Sequence, residues 1–90
     1  SFKLIPRVIT IEDRLQAENH YKKGIKLFIA NDFEGAMREF ELCREVNPYH
    51  KNIDNKIRDV KEILELRNQN QELDEELKKL QRNEADTDNP

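Results

Sequence analysis

Residues 17–48 read AENHYKKGIKLFIANDFEGAMREFELCREVNP, and their spacing decides the fold. This stretch carries small residues at Gly24, Ala36 and Cys43 and larger apolar ones at Leu27, Phe33 and Phe40. Small residues let two helices approach closely, and the larger side chains fill the remaining gaps. The stretch therefore predicts two short antiparallel helices in close contact.

Local signals set the bounds of the first helix. Thr10 supplies a hydroxyl N-cap, and Asp13 places a carboxylate near the positive end of the helix. We expect this helix to run from about Ile11 to Ile29 or Ala30, ahead of a turn at residues 31–33.

The second helix is predicted from about Phe33 to Val46, with Asp32 as its cap. Pro48 stops it, because the residue before a proline avoids the helical region. A third helix is then predicted from about His50, with no breaker until Asn83.

Residues 17–50 resemble a tetratricopeptide repeat, a 34-residue helix–turn–helix unit. Gly24, Ala36 and Pro48 match the pattern of the repeat outright, and Phe33 and Phe40 match it in kind. The resemblance implies a protein-binding module that carries out no chemistry.

Two positions depart from the repeat pattern. His20 stands where the family has a large aromatic residue, and Lys23 stands where it has a leucine. Both departures suit a terminal unit with no repeat stacked in front of it.

In tetratricopeptide families the inner faces of first helices line the groove that receives a partner segment. By this resemblance, Tyr21, Ile25 and Phe28 are the predicted partner-binding residues. The alternative is that the apolar arm at residues 2–9 folds back and covers them.

The third helix carries an apolar stripe that would cover the hairpin. Ile53, Ile57, Val60 and Leu64 fall at intervals of four, three and four residues. A solitary repeat cannot bury its own hydrophobic faces. We therefore expect this stripe to lie across the second helix, as the capping helix does in tetratricopeptide arrays.

A second stripe follows in a heptad register. Its d positions are leucines and its a positions include one asparagine, so that the full set is Ile63, Leu66, Asn70, Leu73, Leu77 and Leu80. Leucine at d with a single asparagine at a is typical of a parallel two-stranded coiled coil. Glu62 at g and Arg67 at e form its one attractive flank pair. These residues are the predicted homodimer contacts; the alternatives are packing within the monomer or on an absent domain.

Composition agrees with a helical fold. The 90 residues include 36% hydrophobic and 39% charged residues, two glycines and three prolines, which favours an elongated helical fold over strands. The net charge of −3 has no basic patch, so nucleic acid is not an expected partner. No apolar run approaches the length of about 20 residues that a membrane span needs.

The sequence offers no chemistry-bearing constellation. Cys43 is the single cysteine, which excludes a disulfide framework and predicts a small core residue. His20 and His50 form no pair with metal-ligand spacing, and no phosphate loop or catalytic triad is present. We therefore predict no catalytic residues, no metal site and no cofactor.

The predicted protein is all-α, with a tetratricopeptide-like hairpin and a long C-terminal helix ending in a coiled coil. We divide it into an extended arm or remnant of a preceding domain at 1–10, a helical domain at 11–64, a coiled-coil extension at 65–83 and a disordered tail at 84–90. Ser1, followed by an apolar stretch, suggests a fragment of a larger protein. The predicted function is non-catalytic protein binding and self-association. Alternatives are a pure oligomerisation device and a regulatory or targeting domain of a multidomain enzyme.

Overall fold

The computed structural model describes the backbone of residues 7–87 and the side chains of residues 7–82. It contains three helices, α1 at Ile11–Ile29, α2 at Phe33–Val46 and α3 at Ile53–Thr87, and no strand in the described range. The predicted all-α fold, with a helical hairpin and a long third helix, is confirmed.

The hairpin begins and turns where its sequence signals predict. Asp13 N donates to Thr10 Oγ1 at 3.0 Å and Thr10 N donates to Asp13 Oδ2 at 3.2 Å, which closes a capping box at the start of α1. Asn31 has φ 65°, a left-handed conformation that asparagine tolerates better than most residues. Asp32 then accepts from Gly35 N at 3.0 Å and caps α2. The predicted bounds of both helices are confirmed.

The bounds of α3 differ from the prediction at both ends. The helix begins at Ile53 rather than near His50, because residues 47–52 form a compact linker. In it His50 N donates to Asn47 O at 3.1 Å and Asn52 N donates to His50 Nδ1 at 3.3 Å. At the other end the helix continues to Thr87, so residues 84–87 of the predicted disordered tail are helical. Residues 88–90 lie outside the described residues.

The core lies on both sides of α2, which is the middle helix. Phe40 and Cys43 of α2 and Val60 of α3 are fully buried. An added Cβ at Gly24 would lie 2.4 Å from Phe40 Cε1, so the absence of a side chain at Gly24 makes room for the phenyl ring. The predicted small-residue contact between the first two helices is therefore present.

The predicted covering stripe of α3 is also present. Ile53 and Val60 are fully buried, Ile57 is 3% exposed and Leu64 packs at the edge of the same cluster. Because these residues share one side of the helix, α3 lies along α2 and closes the core that the hairpin leaves open.

The three helices form a thin, elongated layer. The molecule measures 73 × 38 × 13 Å and has a Cα radius of gyration of 21.0 Å, against about 12 Å for a compact chain of this length. The 35 residues of α3 span about 52 Å. Its second half therefore extends beyond the hairpin.

Candidate interaction surfaces

The first candidate surface is the α1 face, formed by Tyr21, Ile25 and Phe28. All three side chains are half-buried and pack against the core cluster. Their outer sides remain at the surface beside the linker and the start of α3. The α1 face is therefore a shallow apolar surface rather than an open groove.

Other parts of the chain contact both aromatic residues of the α1 face. The Tyr21 ring stacks on the His50 ring with centroids 4.6 Å apart. Phe28 meets Phe33 edge to face at 5.4 Å, and the Lys56 ammonium lies 5.8 Å from the Phe28 centroid. The linker and α3 thus cover part of the surface that we predicted to receive a partner.

The arm that we considered as an alternative cover is described only from Arg7 onward. Arg7 N donates to Tyr49 Oη at 3.2 Å, and Arg7 Nη1 donates to the Glu45 carbonyl at 2.6 Å. These contacts attach the start of the described chain to the C-terminal end of α2 and to the linker. Residues 2–6 of the predicted arm lie outside the described residues.

His50 joins the linker to α1. Its side chain is 10% exposed, and its Nε2 lies 3.0 Å from Glu18 Oε2. Because Nδ1 accepts from Asn52 N, the ring proton is on Nε2, which donates to Glu18. The ring therefore has a partner at each nitrogen, and Tyr21 stacks on its face.

A second histidine–glutamate pair joins α1 to α2. His20 Nδ1 lies 2.7 Å from Glu39 Oε2, and both side chains are mostly buried. This pair occupies the position where the tetratricopeptide pattern has a large aromatic residue. A polar link between the helices thus stands where the family would have an apolar contact.

The buried thiol of Cys43 is a core group, as predicted. The side chain is fully buried, and burial, with a smaller effect from the Glu18 carboxylate, raises the pKa of the Cys43 thiol to about 11. Within the described residues no cluster of three or more histidine, cysteine or acidic side chains is arranged to hold a metal ion.

The second candidate surface is the leucine stripe, formed by Ile63, Leu66, Asn70, Leu73, Leu77 and Leu80. Its four leucines are 54–61% exposed, whereas Ile63 is half-buried where the hairpin ends. The described part of the chain leaves these four leucines uncovered. Such a row of exposed leucines at heptad spacing is the main unexplained apolar feature of the molecule.

The leucine stripe points away from the hairpin. At 100° per residue its members are centred about 140° around the helix from the stripe that contains Val60. Beyond Leu66 the continuation of the hairpin-facing row is polar, with Gln71, Asp74 and Lys78. A second helix can therefore lie along the leucine stripe without displacing α2.

Arg67 stands where the hairpin contact ends and the leucine stripe begins. Its Nη2 donates to the Glu34 carboxylate at the start of α2. Its Nε is buried and has no acceptor, the one such side-chain atom within the described residues. An unpaired buried donor costs roughly 1–3 kcal/mol, so the Arg67 guanidinium is only partly satisfied in the single chain.

Sequence analysis missed the three side chain–side chain pairs that join distant segments of the described chain. His50 and Glu18 are 32 residues apart, Arg67 and Glu34 are 33 apart, and His20 and Glu39 are 19 apart. No local pattern predicts such pairs. The one available signal was that the predicted hairpin and capping helix would bring these segments together.

Comparisons with known proteins do not extend the resemblance. No family model matches the chain, and no curated protein and no solved structure matches it significantly. The tetratricopeptide assignment therefore stays a prediction that rests on the residues quoted above. Among the described helices, none is both long enough and apolar enough to cross a membrane.

Proposed function

We propose that this chain is a non-catalytic interaction module that self-associates through the leucine stripe and holds a partner segment on the α1 face. The exposure of Leu66, Leu73, Leu77 and Leu80 carries the proposal. Soluble proteins rarely leave a contiguous apolar surface open unless it meets a partner. A second copy of α3 is the occupant that the pattern favours, because each leucine would then meet its equivalent.

The register favours a parallel pair. Asn70 lies in the middle of the leucine stripe at an a position, where two asparagine side chains from parallel helices can hydrogen-bond across the seam. Such a pair is satisfied only when the helices are aligned in register. The stripe covers fewer than three heptads, so the dimer is weak and depends on protein concentration.

Sedimentation equilibrium tests the dimer. Leu73→Glu combined with Leu77→Glu should convert the protein to monomer, because two charges would be placed in the seam of each copy. The matched control is Asn68→Glu with Gln71→Glu, which adds the same charge on the side of α3 opposite the leucine stripe and should leave the dimer intact. A wild-type protein that is monomeric at millimolar concentration would refute the proposal.

Cross-linking tests the orientation. In a Cys43→Ala background, Leu80→Cys should form an intermolecular disulfide, since parallel helices bring the two d positions within the reach of such a bond. An antiparallel pair would place the two thiols far apart and give no cross-link. That result would leave a dimer but contradict the parallel register.

The proposed partner segment on the α1 face is a short apolar peptide. The half-buried Ile25 lies between the two aromatic residues of that face and offers an apolar contact point there. The apolar segment SFKLIPRVI at residues 1–9 is a suitable probe because it has this chemistry. As a synthetic peptide it should shift the NMR signals of Ile25 and Phe28, and Ile25→Lys should abolish the shift of the Phe28 signals. Lys26→Gln, at an exposed neighbouring position, is the control; unshifted signals at millimolar peptide would contradict the proposal.

A further inference from the structure

Arg67 belongs both to the hairpin contact and to the edge of the leucine stripe. It follows the buried Val60 by seven residues, so it continues the row of α3 that faces α2. It also directly follows Leu66, the first leucine of the stripe. Its side chain is 40% exposed, so part of the guanidinium remains at the surface beside the seam.

The Arg67 guanidinium has more hydrogen-bond donors than the single chain uses. Arginine carries five N–H groups, and Nη2 supplies the bond to the Glu34 carboxylate. Nε has no acceptor in the single chain. One carboxylate therefore neutralises the charge of Arg67 without using all of its hydrogen-bonding capacity.

A parallel dimer would bring a second carboxylate to the same place. In parallel coiled coils a g residue faces the e residue that is five positions later on the other helix. Glu62 is at g and Arg67 is at e, so Glu62 of the second copy would lie beside Arg67. An antiparallel pair sets e beside e and g beside g, and this contact would be lost.

We propose that Arg67 determines the parallel register by binding two carboxylates at once, Glu34 of its own chain and Glu62 of the second copy. This inference rests on the proposed homodimer. It makes Glu34 part of the dimer contact, although Glu34 belongs to α2 and lies off the leucine stripe. Without Arg67, the two carboxylates would face each other and repel.

The dimer dissociation constant, measured by sedimentation equilibrium, tests this arrangement. Arg67→Gln should weaken the dimer about tenfold, because each dimer contains two copies of the contact. Adding Glu34→Gln to that variant should recover about threefold of the loss, since it removes one of the two facing carboxylates. If Arg67 and Glu34 only stabilised the single chain, the second substitution would recover nothing.

Glu41→Gln in the Arg67→Gln background is the matched control. Glu41 is an exposed carboxylate on α2, seven residues from Glu34, or about 10 Å along the helix. Glu41→Gln should leave the dissociation constant of the Arg67→Gln dimer unchanged. Equal recovery with Glu41→Gln, or no recovery with Glu34→Gln, would overturn the inference while the wild-type dimer remained. A monomeric wild-type protein would instead refute the proposed homodimer itself.

Discussion

Replacing Gly24 with alanine sets two opposing effects against each other, and the structure determines which is larger. In a helix interior, alanine is more favourable than glycine by about 1 kcal/mol. Against this, the new methyl group would lie 2.4 Å from Cε1 and 2.6 Å from Cδ1 of Phe40. Phe40 is fully buried in the core, so its ring has no free space into which to move.

Overpacking of this kind costs about 1–3 kcal/mol, and an overlap this deep belongs at the upper end of that range. Subtracting the helix-propensity gain leaves a net destabilisation of about 2 kcal/mol. For a domain of this size the melting temperature should fall by about 8–16 °C. Circular dichroism at 222 nm during thermal or urea unfolding measures the change.

A second substitution separates packing from other causes. Phe40→Leu shortens the side chain that meets the new methyl group, so Gly24→Ala should cost less in that background than in the wild type. Lys23→Ala, at the exposed neighbouring position, should change stability little. If Gly24→Ala raised the melting temperature, the close approach of α1 and α2 at Gly24 would be refuted.

Three further predictions concern the Cys43 thiol, the His50 ring and Asn70. The pKa of the Cys43 thiol is raised to about 11, so this thiol ionises at a lower pH in the unfolded state than in the folded state. Stability should therefore fall as pH rises from 9 towards 11, and this decline should be absent in Cys43→Ala. The native thiol should also resist Ellman's reagent at pH 8. His50→Ala removes the hydrogen bond to Glu18 and the stacking on Tyr21. It should lower the free energy of unfolding in urea by about 1–2 kcal/mol, more than His20→Ala does. A larger loss for His20→Ala would contradict this prediction. Asn70→Leu should tighten self-association and loosen the preference for two strands. Sedimentation equilibrium would then detect trimers or larger species. A weaker dimer would argue against Asn70 lying in the seam.

The hairpin could be predicted from sequence because its signals are local. Thr10 with Asp13 starts α1 and Asp32 starts α2, and each signal acts within a few residues of the helix end that it sets. Pro48 likewise stops α2 through the residue directly before it. The covering stripe at Ile53–Leu64 was predictable for a related reason, since its periodicity is visible in one helix.

The start of α3 was not predictable from local signals. Histidine is a residue type compatible with a helix start. In the structure, however, the His50 ring bonds to Glu18 of α1 and accepts from Asn52 N, and the helix begins three residues later. The partial cover of the α1 face also arises from contacts between segments that are distant in sequence. Tyr21 also meets Phe40, the ring that fills the space at Gly24. The contacts of Tyr21 with His50 and of Phe28 with Lys56 depend on how the linker returns.

The thinness of the molecule affects how its mass can be measured. A radius of gyration of 21.0 Å equals that of a compact protein of about 380 residues, although the chain has 90. A gel-filtration column calibrated with globular standards separates by hydrodynamic size, which elongation also raises, and a single copy would elute there as a heavier species. An early elution volume is thus the expected behaviour of the monomer. Only methods that read mass independently of shape, such as light scattering, can count the copies.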